Sequence, residues 1–402
     1  MNKKQDYILM YQDEEVLSFR VSFAKKNHVE VLNKLAHFDK APYGMNEDTP
    51  QEALNNIFLR FVNTRSIAPS RWDYDEILKY TNSINYLELS FKGHGLSLSN
   101  HYWYKKAGEN LKYSDINFFA NKWDDSFARA VLSGHYEALQ DVDLNVPDVT
   151  TPGWAIKGWL CEEDGAKLYK IGIAKDHIEE PISEVLASRL AQRMLGSNSA
   201  LVYELKEIYG KYASVSKTMI GIDEELVPLS NIVSVDLYAL YRNKDGKRST
   251  LVEFFRRIDE CGIPGIREFF VKVMCFKSLA FVNDLHFDNI SVIRNIKTGQ
   301  MRIAPLYDLG GAFGSSATGK SILSNINKAT YMIVYYIYGY LDPDWDYSWY
   351  DPDSLIGFEE DIKEILSKSD FYNPELINNI IDVYQHQKQS LDEMALASKK
   401  KD

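Results

Sequence analysis

The stretch "FVNDLHFDNISVIRN", residues 281–295, crowds Asp284, His286, Asp288 and Asn289 into six positions and then runs into an apolar alternation. Soon after it, "APLYDLGGAFG", residues 304–314, ends a second apolar run on Asp308 and two glycines. Ile290–Arg294 and Met301–Leu306 read as two strands around the turn Lys297-Thr298-Gly299. If they pair, Asn289 precedes the first strand and Asp308 follows the second, so both stand at the open end of one hairpin. Neighbouring strands lie about 4.8 Å apart, close enough for two such ends to share a divalent ion. Asp284, five positions before Asn289, adds a carboxylate to the same mouth. Magnesium prefers oxygen ligands and keeps several waters, so one carboxylate, one amide and phosphate oxygens suffice. Phosphoryl transfer needs this set: a carboxylate that orients a hydroxyl, and metal bridging the phosphates.

The rest of the chain constrains that reading. Its 402 residues are 45% hydrophobic and 26% charged, enough for two or three domains with real cores. A net charge of -11 argues against nucleic acid as an obligatory partner, because phosphate backbones call for a clustered positive surface. The start "MNKKQDYILMYQ" lacks the apolar run of a signal peptide. The most apolar window, "YMIVYYIYGYL" (331–341), is too short to span a bilayer. Cys161, Cys261 and Cys275 are odd in number and far apart, and no HExxH pairing occurs among the eight histidines. Together these features lead us to expect a cytoplasmic protein with reduced thiols and no dedicated zinc site.

Punctuation along the chain predicts its elements. "YILMYQDEEVLSFRVSF" reads as a hairpin turning near Asp13. "TPQEALNNIFLRFVN" reads as a helix with Thr49 as N-cap and Pro50 in first position. "FANKWDDSFARAVLSG" reads as a helix ending on Gly134, and the polar stretch 138–153 as a domain boundary. "WAIKGWLCEEDGAKLYKIGIA" is a hairpin about Asp164-Gly165, "PISEVLASRLAQRML" a helix opened by Pro181, and 201–220 two further strands turning near Gly210. Helices follow at 231–243, 250–260, 265–281, 354–368 and 374–396, interrupted by the 290–307 strands. The expectation is an α+β fold: an N-terminal α/β accessory region (1–147), a small β-rich lobe (148–230) and a larger helical lobe (231–402). Aromatic-rich segments such as "GLSLSNHYWYKK" and "YSDINFFANKWDD" read as core of the accessory region.

The D-x-H-x-x-N of Asp284, His286 and Asn289, the hairpin, and the Tyr-Asp-Leu-Gly at Asp308 resemble the HipA-like serine/threonine kinases, which have a two-lobed protein-kinase-like fold. The arginine usual after the aspartate is Leu285 here, and the family's upstream asparagine is displaced to Asn283. "SEVLASRLA" (183–191) is similar to the family's helix that follows the nucleotide-binding lysine. The resemblance implies ATP and Mg2+ as cofactors. It makes Asp284 the hydroxyl-orienting base, His286 a support of the loop, and Asn289 and Asp308 the metal ligands. Lys170, rather than Lys167, would bind phosphates and be held by Glu184. Gly153 and Lys157 would cover the phosphates, and "SKTMIGIDEELVP" (216–228) would be the hinge that meets adenine. In some family members a hydroxyl upstream of that glycine is autophosphorylated, a place held here by Thr150 and Thr151.

The bland alternatives weigh on single residues: Asp288 is best read as a cap or exposed loop charge, and a lone Asp or Asn in a loop is usually structural. The motif set is shared with phosphatidylinositol kinases, which leaves a lipid or small-molecule kinase as one alternative. A nucleotide-binding pseudokinase serving as a toxin–antitoxin interaction module is another. The partners expected are a protein substrate and an antitoxin-like protein.

Overall fold

In the computed structural model, residues 4–23, 28–172, 179–232, 255–282, 289–324 and 345–398 are described. The architecture is α+β, several antiparallel sheets and many helices, as expected. By packing, the chain divides into two compact units. The first comprises Met1–Lys170, Ile220–Leu226 and Asn295–Thr298; the second comprises Ile171–Met219, Val227–Arg294 and Gly299–Asp402.

The first unit is built on an antiparallel sheet, order β3-β2-β1-β4, from β1 (Lys4–Tyr11), β2 (Glu14–Ser22), β3 (His28–Lys34) and β4 (Tyr102–Lys106). The β1–β2 turn falls at Gln12-Asp13, where the sequence puts it. Helix α1 (Gln51–Asn63) buries Leu54, Phe58 and Val62, one side of a helix at four-residue spacing, in the core that holds Leu9, Leu17 and Phe19. Phe58 meets Phe19 edge-on at 4.7 Å between ring centroids. The outer edge of β3 is closed by α1: Asn55 accepts from Val31 N–H at 2.9 Å, and Gln51 donates to Val31 C=O at 2.8 Å. Edge strands invite foreign pairing, and this cover removes the opportunity at that position.

Two local expectations are corrected. The N-cap of α1 is Pro50, not Thr49; the Thr49 hydroxyl is committed backward, accepting from Asn46 N–H at 2.9 Å and donating to Asn46 Oδ1 at 3.0 Å. The helix expected across 119–134 spans only Ser126–Ser133. Asn117 Oδ1 takes the N–H groups of Phe119 and Ala120, and Asp124 Oδ1 takes that of Ser126, which turns the chain before the helix begins. The helices here are α2 (Tyr74–Tyr80), α3 (Tyr86–Lys92), α4 (Tyr113–Ile116) and α5 (Ser126–Ser133). A second core gathers Ile67, Ile77, Leu89, Phe127 and Val131 with Leu139, Val146 and Val149. The polar stretch 138–153 is therefore packed inside this unit. Tyr102, Trp103, Tyr104, Tyr113 and Phe118 are buried, as the core reading of the aromatic segments expects. The unit also holds a hairpin of β5 (Lys157–Glu162) and β6 (Gly165–Ile171), turning at Glu163-Asp164.

In the second unit, helix α6 (Glu180–Leu195), with Pro181 in its first turn, is buried on nearly every side. A hairpin follows, β7 (Glu204–Ile208) and β8 (Lys211–Lys217), turning at Tyr209-Gly210 with both residues at positive φ. Strand β9 (Glu224–Pro228), whose first three residues belong to the first unit, leads into α7 (Leu229–Ile232). Of the expected helices at 231–243 and 250–260, positions 233–254 lie outside the described residues, and 255–260 is helical. Helix α8 (Ile266–Ala280) is followed by the antiparallel pair β10 (Ser291–Asn295) and β11 (Met301–Ile303), then α9 (Ala317–Leu323), α10 (Phe358–Leu366) and α11 (Pro374–Ser398). Helix α6 packs on α8 and α10, and α11 packs on α8, α9 and α10. The apolar window 331–341 lies outside the described residues. Among them, no helix is long and apolar enough to cross a membrane.

Candidate active site

Strands β10 and β11 pair as the sequence predicts, with Val292 opposite Ile303 and Arg294 opposite Met301. At the open end, Ser291 C=O accepts from Ala304 N–H at 2.9 Å, and the hydroxyls of Ser291 and Tyr307 lie 2.7 Å apart. Asn289, buried, precedes this clasp on one side and Asp308 follows it on the other. Asp284, His286 and Asp288 lie outside the described residues.

The chain just beyond β11 is held tightly. Leu306 N–H donates to Ser199 C=O and Leu201 N–H to Leu306 C=O, each at 2.8 Å, in a parallel bridge of Ala200 to Leu306. Asp308 has φ +56°, the left-handed region that non-glycine residues rarely adopt. Glu184, fully buried in α6, accepts from Leu309 N–H at 3.2 Å and from the Ser214 hydroxyl at 2.5 Å. The Ser183 hydroxyl donates to Gly310 C=O at 2.6 Å. A Cβ on Gly310 would stand 3.0 Å from the Glu180 side chain, so loop and helix approach closely here and a larger residue would have to push that side chain aside.

In the first unit, Lys157 and Lys170 are directly opposed across the β5–β6 hairpin. Cross-strand partners project to the same side, where two like charges repel. Both lysines are buried, and Lys157 Nζ donates to Pro152 C=O at 2.7 Å. Gly153 has φ +99°, and a Cβ there would lie 2.5 Å from Lys157 Nζ. Two lysines on one side of a hairpin, beside a glycine that lets the backbone come close, suit an anion. Lys167 is three positions from Lys170, hence on the other side, and is paired with Glu162 at 2.7 Å and Asp164 at 3.0 Å.

The segment leading to Gly153 is anchored from far away in sequence. Arg71, whose side chain is fully buried, pairs with Asp73 at 2.6 Å and donates to Lys157 C=O at 3.0 Å. Asp148 Oδ1 accepts from Trp159 N–H at 2.9 Å, while Oδ2 has no hydrogen-bond partner among the described residues. The Thr150 hydroxyl is buried against the carbonyls of Leu96 and Pro147. The Thr151 hydroxyl donates to Pro147 C=O at 2.8 Å and accepts from Trp159 Nε1–H at 3.0 Å.

Burial raises the Asp148 pKa to about 7, against the smaller opposing effects of the Trp159 N–H and Arg71. Between about pH 4, where an aspartate in the unfolded chain ionises, and pH 7, the unfolded state sheds this proton while the folded state keeps it. The contribution of Asp148 to stability therefore falls as pH rises through that window, by up to roughly 4 kcal/mol. Asp148→Asn keeps the acceptor for Trp159 and removes the ionisation. Thermal melts from pH 5 to 8 should show the variant gaining on the wild type as pH rises; parallel profiles would exclude a buried neutral Asp148.

The segment expected to be the hinge, 216–228, is gripped in part by the accessory region. Leu226 N–H donates to Ser99 C=O at 2.8 Å, and His101 Nε2–H donates to Glu224 C=O at 2.9 Å. That bond fixes the tautomer, so His101 Nδ1 accepts from the Tyr113 hydroxyl, 2.7 Å away. Burial lowers the His101 pKa, which keeps the ring neutral in this role. The Tyr11 hydroxyl donates to Glu225 Oε2 at 3.3 Å. Nothing in the accessory sequence signals this grip, because a serine carbonyl and a histidine without a motif carry no pattern.

One pattern belongs to none of these groups. Gly314–Ser321 fits the phosphate-loop spacing G-x-x-x-x-G-K-S. The structure uses it otherwise: Ser316 caps α9 by accepting from Gly319 N–H at 3.1 Å, and Lys320 Nζ donates to Phe371 C=O at 2.7 Å beneath its ring. A phosphate loop needs those N–H groups and that lysine turned to the ligand.

No protein-family model matches the chain, and no curated protein matches it in sequence. Among solved structures it is similar to the Helicobacter pylori proinflammatory kinase CtkA, at 15% identity and a TM-score of 0.40 over 61% of this chain and 94% of that one. It is also similar to a Shewanella oneidensis MR-1 structure of the toxin–antitoxin system HipA, HipB and operator DNA. That match has 12% identity and a TM-score of 0.44 over 97% of this chain and 96% of that one. Both likenesses are loose.

Proposed function

We propose that the chain is an ATP- and Mg2+-dependent kinase of the HipA-like type that transfers the γ-phosphoryl group to a serine or threonine hydroxyl of a protein. The observation that carries this reading is the hairpin end that brings Asn289 and Asp308 to either side of the Ser291–Tyr307 clasp, with Asp308 held in a rare backbone conformation. Hard oxygen donors of this kind, one amide and one carboxylate, fit Mg2+. The opposed lysines Lys157 and Lys170 beside Gly153 fit the phosphates of ATP.

In this scheme Asp284 orients the acceptor hydroxyl and takes its proton, and His286 supports that loop. Asn289 and Asp308 hold the metal, which when bound neutralises charge on the phosphates. Lys170 and Lys157 bind phosphate oxygens. Glu184 is the partner that the resemblance gives to Lys170, and it also holds Leu309 N–H. The proposed division is an accessory region at 1–147, a small lobe at 148–230 and a helical lobe at 231–402. An antitoxin-like protein and a cytoplasmic setting accompany the reading.

Incubation with γ-labelled ATP and Mg2+, followed by mapping of the label, tests it. Turnover and transfer to a hydroxyl are expected; ATP bound but never consumed would favour the interaction module, and label on lipid a lipid kinase. Slow self-labelling at Thr150 or Thr151 is expected, because both hydroxyls are occupied and the segment must open first. The added charge should then lower ATP affinity. A Thr150→Ala, Thr151→Ala double variant should keep its activity where the wild type declines; equal decline would remove the switch and leave the kinase.

A further inference from the structure

We infer that Tyr203 is a positioning residue for Asp308, its phenolic oxygen fixing the backbone that aims the carboxylate; this rests on the proposed role of Asp308 as a metal ligand. The observation is a hydrogen bond from Asp308 N–H to the Tyr203 hydroxyl at 3.1 Å. A residue at φ +56° turns its N–H away from the partners that strand or helix neighbours provide. Here the acceptor is a side chain more than a hundred positions away in sequence.

Tyr203 reaches that N–H because the chain before it is locked to the chain before Asp308. The paired bonds of Ser199 and Leu201 with Leu306, each 2.8 Å, run the two segments side by side. Beyond Asp308 the loop is pinned again, by Glu184 on Leu309 N–H and by Ser183 and Ser315 on Gly310 C=O at 2.6 and 2.7 Å. Strained conformations persist where the surroundings over-determine them. At Asp308 itself the N–H bond that does so is the one to Tyr203. Without the oxygen, Asp308 can relax toward negative φ, and the direction of its side chain changes with its backbone.

Tyr203→Phe removes one atom and keeps the half-buried ring. Mn2+ affinity in the presence of a non-hydrolysable ATP analogue, followed by electron paramagnetic resonance, is the primary readout. About a tenfold loss is expected, with circular dichroism unchanged. In turnover assays the Mg2+ requirement should rise by the same factor, while kcat at saturating Mg2+ returns to within about threefold of the wild type. A purely structural tyrosine would lower the melting temperature and leave the Mg2+ requirement where it was. Tyr203→Leu, which also removes the ring, separates packing from the oxygen: its metal affinity should match that of Tyr203→Phe. Unchanged Mn2+ affinity in Tyr203→Phe, or a loss seen only in Tyr203→Leu, overturns the inference and leaves the kinase reading standing. A wild type that binds neither Mn2+ nor the nucleotide overturns both.

Discussion

Asp308→Asn should abolish phosphoryl transfer, by on the order of a thousandfold or more, in a protein that still folds. The substitution preserves size and leaves the backbone bonds at Asp308 N–H and Leu309 N–H in place. What it removes is the formal charge that would hold Mg2+ against the phosphates. Electrostatic groups of this kind commonly contribute factors of a hundred to a hundred thousand, because they act where charge develops. Asp284→Asn should be equally inactive for another reason, loss of the group that orients the acceptor and takes its proton. It should therefore still bind Mg2+-ATP. Calorimetry on the two variants separates the roles, and equal loss of nucleotide affinity in both would show that they are confused. Wild-type turnover by a folded Asp308→Asn protein would end the metal assignment.

The largest effect on stability should come from Asp73→Ala. Arg71 and Asp73 form a two-bond pair, Nε to Oδ1 at 2.6 Å and Nη2 to Oδ2 at 3.2 Å, with side chains 0% and 2% exposed. The Tyr136 hydroxyl donates to the same carboxylate at 3.4 Å. Removing one member of a buried pair leaves the other charge in a medium that cannot solvate it, at a cost of about 3–5 kcal/mol. A fall in melting temperature of roughly 10 °C follows for a unit of this size. Asp73→Asn, which keeps the shape and one acceptor for Arg71, should fall less. Since Arg71 also holds Lys157 C=O, hydrogen exchange at the start of β5 should quicken in the Ala variant. A melt within a degree or two of the wild type would mean that Arg71 finds another partner, with Asp148, whose carboxyl already feels the Arg71 charge, the acid to test.

Local chemistry was the legible part. Hairpins announced by Asp13, by Asp164-Gly165, by Gly210 and by Lys297-Thr298-Gly299 all form, because turn residues fix register and alternation fixes the buried side. The opposition of Lys157 and Lys170 was not legible: a two-residue turn at Asp164-Gly165 would set Lys157 against Gly172, and the turn that forms one residue earlier, at Glu163-Asp164, shifts the pairing to Lys170. Thr49 misled because its side chain had a nearer partner in Asn46 than in the helix it precedes. The stretch 138–153 reads as a domain boundary because its anchoring depends on Leu96 and Trp159, neither of which its own composition reveals. The support of Asp308 by Tyr203 and Glu184 is likewise non-local, and a left-handed aspartate has no sequence signature of its own.

Residues 220–226 and 295–298 come late in the chain yet complete the first unit. The amino-terminal region meets polar groups of the first of these segments: Ser99 for Leu226 N–H, His101 for the Glu224 carbonyl, Tyr11 for the Glu225 carboxylate. A gene shortened to begin near codon 148 would encode a protein that loses these three contacts in one stroke.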